Sequence, residues 1–143
     1  MDNLSFEKIW IDDNPYDSIF QVKISASNDR ICMSSNVYMQ PLNLLELADG
    51  IFNLLDTPFE IEFGNNDDSC LDCVVLNFIA DKRGRVRIKT YMKSNAGQDL
   101  DGTAANDTAT FHIDTELASL DEFSRCLSTI SVGEIGAMIA LTD

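Results

Sequence analysis

A chain of 143 residues, 45% of them hydrophobic, is long enough to close one core without metals or disulfides as staples. Its 24 acidic residues against 10 Lys plus Arg give a formal net charge of -14, a field that repels phosphate backbones and anionic lipid, so nucleic acid and membrane are poor partners. The same field attracts basic proteins, and a basic protein is the partner that composition favours, with plain solubility as the simpler alternative.

The first ten residues, MDNLSFEKIW, carry acids where a secretory signal would carry positive charge, and no apolar run approaches the roughly 18 residues of a membrane span. A cytoplasmic protein is expected. In that compartment Cys32, Cys70, Cys73 and Cys126 remain thiols and read as small hydrophobes.

Regular alternation begins at Phe20, Val22, Ile24 and Ala26, with Gln21, Lys23 and Ser25 between them, which predicts a half-buried strand. After the turn-forming residues Ser27, Asn28 and Asp29, it resumes at Ile31, Met33, Ser35 and Val37, so the two stretches predict a hairpin. The period then changes. Pro41 suits a first helical turn, and Leu44, Leu47, Ala48, Ile51, Leu54 and Leu55 recur at spacings of three and four, predicting an amphipathic helix that ends before Pro58 and leaves Asn43 to solvent. Gly50 inside it costs about 1 kcal/mol relative to Ala and suggests close packing on the sheet.

Phe59, Ile61 and Phe63 alternate with Glu60 and Glu62 in a short strand that Gly64 ends, and residues 65–69 are a polar loop. The segment LDCVVLNFIA carries apolar side chains on both faces, Val74, Leu76, Phe78 and Ala80 on one and Cys73, Val75 and Ile79 on the other, as a central strand does. DKRGR turns the chain at Gly84 into RVRIKTYMK, where Val86, Ile88, Thr90 and Met92 alternate strictly with Arg85, Arg87, Lys89, Tyr91 and Lys93. Residues 94–107 have almost nothing to bury and predict a long mobile loop. A last strand follows at Ala109, Phe111 and Ile113. Ser119 and Glu122 then read as a capping box, with Asp121 beside the dipole, opening a second helix whose apolar face is Leu120, Phe123, Leu127 and Ile130. The tail GEIGAMIALTD fits either a short helix or a strand. The elements together predict one α+β domain over 1–143, a mainly antiparallel sheet of about six strands with two amphipathic helices packed on it.

Catalytic constellations are weak. His112, the one histidine, lies mid-strand beside Thr110 and Asp114, and no nucleophile, base and orienter can be assembled around it from local spacing. Cys70 and Cys73 form a single CxxC that lacks the second pair a structural zinc needs and enters an apolar strand, not a helix N-terminus. DLDG, with Asp99 and Asp101, lacks the remaining ligand positions of a calcium loop, and no phosphate-binding glycine motif occurs. No metal, cofactor or catalytic residue is implied.

Charge distribution says more. Residues 1–81 hold 15 acids and 3 bases, residues 82–93 hold 6 bases and no acid, and residues 94–143 hold 9 acids and 1 base. Negative segments therefore flank one basic stripe, Arg85, Arg87, Lys89 and Lys93, which shares a strand face with Tyr91. The stripe reads either as a small platform for a polyanion or, more economically, as cross-strand partners for nearby acids. Glu60, Glu62, Asp67, Asp68, Asp99 and Asp101, with Asp107, are the acidic candidates for a partner-binding surface.

The stretches FQVKISASNDRICMSSNVYMQPLNLLELADGIF, DKRGRVRIKTYM and TATFHIDTELASLDEFSRCL give an order of elements that resembles bacterial immunity proteins of polymorphic or contact-dependent growth-inhibition toxin systems, particularly the WapI-like group. The resemblance spans most of residues 20–130 and leaves out the segments before and after. It implies a non-enzymatic cytoplasmic inhibitor of a cognate toxin C-terminal domain, often a basic nuclease, whose site it blocks or whose fold it locks. It supplies no contact motif to carry over, so the candidate carboxylates rest on charge and exposure. Two other readings compete: a small ligand-binding or enzymatic domain using the face of His112, Asp114 and Tyr91, and a module that self-associates through Leu- and Phe-rich elements.

Overall fold

The computed structural model describes residues 2–14, 16–64 and 71–141. The elements run β1 (Asn3–Ile11), β2 (Phe20–Ser27), β3 (Cys32–Met39), α1 (Pro41–Phe52), β4 (Phe59–Gly64), β5 (Cys73–Ala80), β6 (Arg85–Gln98), β7 (Ala104–Glu116), α2 (Leu117–Arg125), α3 (Leu127–Val132) and β8 (Met138–Ala140). The fold is α+β, but the strands form two four-stranded antiparallel sheets, ordered β3-β2-β1-β8 and β4-β5-β6-β7, where the sequence predicted one sheet of about six. The two additional strands explain the difference. β1 turns Leu4, Phe6 and Lys8 inward, so a lysine interrupts the apolar alternation, and a bulge between Lys8 and Trp10 breaks its register against β2. The tail resolves as β8, which pairs with β1 at Phe6 and Ile139.

Inward faces of both sheets meet in one hydrophobic cluster. Phe6 of the first sheet sits edge-on to Phe63 of the second, with centroids 5.9 Å apart, and edge-on to Phe123 of α2 at 5.3 Å. Polar contacts tie the sheets at one end: Ser35 Oγ donates to the Lys93 carbonyl at 3.1 Å, and the Asp72 carboxylate accepts from the backbone N–H groups of Asn36 at 2.7 Å and Asn95 at 2.8 Å. Ser35 is buried, and its hydroxyl is tolerated there because it has a partner. Lys8 is almost fully buried, with Nζ donating to the carbonyls of Gly133 at 2.9 Å and Ser131 at 3.2 Å and standing 4.5 Å over the Phe20 ring. Burial holds its pKa below the ordinary lysine value.

The helix expectations hold in outline and change at the ends. Pro41 opens α1, and Leu44, Leu47, Ile51 and Leu54 are buried while Leu55 is exposed, since the helix gives way to turns after Phe52. Asn43 is not left to solvent: its Oδ1 accepts the Gln40 N–H at 2.7 Å in a capping box. A Cβ on Gly50 would run into the ring of Phe59, which itself stacks on Phe78 at 4.5 Å, so the glycine is a close-packing position as predicted. The predicted second helix is two, α2 and α3, and both bury the expected Leu120, Phe123, Leu127 and Ile130. Ser119 is no cap. α2 starts directly off β7 at Leu117, whose N–H donates to the Gly84 carbonyl at 2.8 Å, so a tertiary acceptor replaces the side-chain cap and Asp121 falls beyond the first turn.

The largest correction concerns residues 94–107. They are a β-ribbon continuing β6 and β7, with Ser94 opposite Asp107, Asn95 opposite Asn106 and Gln98 opposite Ala104. The ladder supplies backbone hydrogen bonds where neither face has a core to bury, and nearly every side chain along it is exposed. Among the described residues no helix is long and apolar enough to cross a membrane.

Candidate functional site

The outer face of the second sheet carries the charged residues singled out by the sequence. Antiparallel register sets them in rows: Glu60, Asn77, Lys89 and His112 across β4 to β7 in one, and Ile79, Arg87 and Asp114 in the next. Arg87 pairs bidentately with Asp114, Nε to Oδ1 at 2.7 Å and Nη2 to Oδ2 at 2.9 Å. That hydrogen bonding holds the Asp114 carboxyl below the usual carboxylate range. Arg85 Nε reaches Asp81 Oδ2 at 2.7 Å, and Asp81 also accepts the backbone N–H groups of Arg83 and Arg85. The Arg85 N–H is the first cause of a lowered Asp81 pKa. Lys93 shares the face by register but is only 4% exposed. Three of the four cations of the stripe are thus paired or buried, and Lys89 is exposed with no salt bridge among the described residues.

The carboxylates divide into separate groups. Glu60 and Glu62 project exposed from β4, which borders the sheet on one side. Asp67 and Asp68 lie outside the described residues, as does Cys70. Asp99 and Asp101 occupy the turn at the tip of the ribbon, where the Asp99 N–H donates to the Thr103 carbonyl at 2.8 Å and the Gly102 N–H to the Asp99 carbonyl at 2.9 Å. Asp101 Oδ1 accepts from Thr103 Oγ1 at 2.7 Å and from its N–H at 3.1 Å, which lowers the Asp101 pKa. Asp99 lies eight residues along β6 from Tyr91, the residue in the row of Glu62, about 26 Å of extended strand at about 3.3 Å per residue. The structure does not bring the two acidic pairs together.

His112, Asp114 and Tyr91 share the outer face, and His112 and Asp114 border different depressions. One shallow depression of ≈ 430 Å³ is lined by Phe59, Glu60, Ile79, Lys89 and His112, and a second of ≈ 650 Å³ by Ile79, Asp81, Arg85, Arg87 and Asp114; Tyr91 belongs to neither. Both are open to solvent. Asp114 already accepts two guanidinium N–H groups, which leaves it poorly placed to orient the imidazole. Ile79, expected to help bury the second face of β5, is exposed, whereas Cys73 and Val75 on that face are buried.

One feature of the sheet had no signal in side-chain pattern. β7 is a border strand, and two of its outward backbone groups are capped from the β2–β3 turn and from just before β1: Asn28 Nδ2 donates to the His112 carbonyl at 3.0 Å, and the Asp114 N–H donates to Asp2 Oδ2 at 2.7 Å. Asn28 reads from sequence only as a turn residue, a role it also fills by accepting the N–H groups of Arg30 and Ile31. Comparison with known protein families, curated proteins and solved structures finds no match to this chain.

Proposed function

We propose that the chain is a cytoplasmic immunity protein that acts by binding, without catalysis, and neutralises the C-terminal domain of a cognate bacterial toxin carrying a basic surface. The observation that carries this reading is the asymmetry of charge use. Lys8 and Lys93 are buried, and Arg85, Arg87 and Arg125 are paired with Asp81, Asp114 and Glu122. Glu60, Glu62, Asp99 and Asp107 stand exposed with no salt bridge among the described residues. Five cations, Lys23, Arg30, Lys82, Arg83 and Lys89, are likewise exposed without a salt bridge among the described residues, so in a chain of formal net charge -14 the unspent carboxylates outnumber the unspent cations. Such a surface accelerates encounter with a cationic protein and disfavours anionic ones. The resemblance of the element order to WapI-like immunity proteins points the same way, and the open depressions beside His112 give a reacting group little shelter from water.

The test is genetic and biochemical. The neighbouring genes are searched for a toxin with a variable C-terminal domain, that domain is expressed with and without the chain, and growth and complex formation are measured. Restored growth together with a stoichiometric complex on gel filtration is the expected result. Unrelieved toxicity with no complex would reject the reading.

A further inference from the structure

The outer edge of β7 is an unfilled place in a sheet, and we infer that it receives an extended, cationic segment of a protein partner as a fifth strand. This deepens the binding reading and rests on it.

Backbone direction establishes the edge. The His112 carbonyl and the Asp114 N–H both point away from β6, because they meet Asn28 of the β2–β3 turn and Asp2 just before β1. Since N–H and C=O directions alternate by residue along a strand, the other even-numbered positions of β7 face the same way, and the odd-numbered Ala109, Phe111 and Ile113 exchange hydrogen bonds with Met92, Thr90 and Ile88. Thr108 and Thr110 thus direct their N–H and C=O groups outward. Neither has a hydrogen-bond partner on that side among the described residues, and both side chains are exposed. Asn28 and Asp2 finish the edge at one end and leave Thr108 and Thr110 open.

Exposed edges are normally blunted by lysine, proline or a covering element. β7 has none of the first two: its thirteen residues, AANDTATFHIDTE, hold Asp107, Asp114 and Glu116 and no Lys, Arg or Pro. Charge also decides the occupant. A second copy would bring another chain of formal net charge -14 against the same acidic strand, whereas a basic segment is drawn to it. Main-chain hydrogen bonds from Thr108 and Thr110 would supply affinity, and Asp107 would select for cationic side chains.

The experiment follows the β7 amides of the full ¹⁵N-labelled chain as a peptide of alternating lysine and threonine, about eight residues long, is added. Thr108, Thr110 and His112 amides should shift and exchange more slowly. Thr110→Pro removes an outward N–H that the β6 ladder does not use, and should weaken the peptide at least ten-fold, while Thr110→Ala keeps that N–H and should not. A peptide N-methylated along its pairing edge keeps its charge and should also lose at least ten-fold, a comparison that needs no protein variant. Equal binding of the methylated peptide, with shifts centred on Asp99 and Asp101, would reduce the effect to charge attraction and overturn the inference. A doubled mass in light scattering with the Thr108 and Thr110 amides protected before peptide is added would put a second copy there and overturn it as well. A toxin domain that is neutralised and held equally well by Thr110→Pro would remove the edge while leaving the binding function standing.

Discussion

Arg87 grips Asp114 across the β6–β7 pair through two parallel hydrogen bonds of 2.7 and 2.9 Å, turning the centre of a basic stripe into an internal ion pair. The pair is solvent-exposed, so its contribution is small and screened by salt. Its pH signature is nevertheless specific. A carboxyl whose folded pKa is depressed gives stability that is fully present above its unfolded value, about 3.9, and lost as pH falls through the folded pKa. Asp114→Asn should therefore be slightly less stable than the parent in urea unfolding at neutral pH, and the gap should close as pH falls below about 3.9 and through the depressed folded pKa. A gap that stays constant across that range would mean the charge of Asp114 contributes nothing.

Gly50 and Phe59 supply a steric test. Replacing an exposed helical glycine by alanine ordinarily gains about 1 kcal/mol. Here the added methyl meets the Phe59 ring, whose other face is stacked on Phe78. Gly50→Ala should thus destabilise by about 1–2 kcal/mol. Adding Phe59→Leu should recover part of that loss, with the coupling read from a double-mutant cycle of thermal unfolding.

Phe6 is where the two sheets and α2 meet, edge-on to both Phe63 and Phe123. Phe6→Ala leaves a cavity at the only aromatic junction in β1 facing the core and should cost about 3–5 kcal/mol. That is a large part of an ordinary domain's stability of about 5–15 kcal/mol, so the urea midpoint should fall steeply. An unchanged midpoint would show that β1 is not integral to the core.

The contrast between β1 and β6 explains what could be read from sequence. In β6, Val86, Ile88, Thr90 and Met92 face one core without interruption, so side-chain period alone fixes the strand and its inner face. In β1 the third inward residue is Lys8, made tolerable by the distant Ser131 and Gly133 carbonyls and the Phe20 ring, none of which is visible in local pattern. Residues 94–107 fail for the opposite reason: with neither face buried, strand pairing leaves no hydrophobic alternation. At the candidate site, exposure of Glu60, Glu62, Asp99 and Asp101 was legible because carboxylates seek water. Their separation was not, since it depends on a hairpin the composition disguised. The outward Thr108 and Thr110 amides belong to the backbone, and a residue list carries no direction for them.

Lys8 gives a prediction for the fold's closure. Its ammonium joins the end of α3 to β1 through two carbonyls, linking residues far apart in the chain. Lys8→Ala removes both charge-assisted hydrogen bonds and the contact with Phe20, and should cost about 2–4 kcal/mol. Amide exchange in α3 and β8 should quicken more than in β4 and β5. Uniform quickening would point to general destabilisation and no special tie at the C-terminal elements.

Because one acidic group lies on the β4 border of the second sheet and the other on the far part of the β6–β7 ribbon, charge reversal can tell which of them a cationic partner approaches. Asp101 is unsuitable as a probe, since its carboxylate holds the turn through Thr103. Asp99→Lys with Asp107→Lys alters the ribbon side next to the β7 edge, and Glu60→Lys with Glu62→Lys alters the β4 side, each without removing a salt bridge among the described residues. With the cognate toxin domain, the ribbon pair should slow association roughly ten-fold at low salt and flatten its salt dependence, while dissociation changes less. The β4 pair should change the rate only to the extent that total charge falls. The reverse ranking would place the partner on β4 and leave the β7 edge to another role.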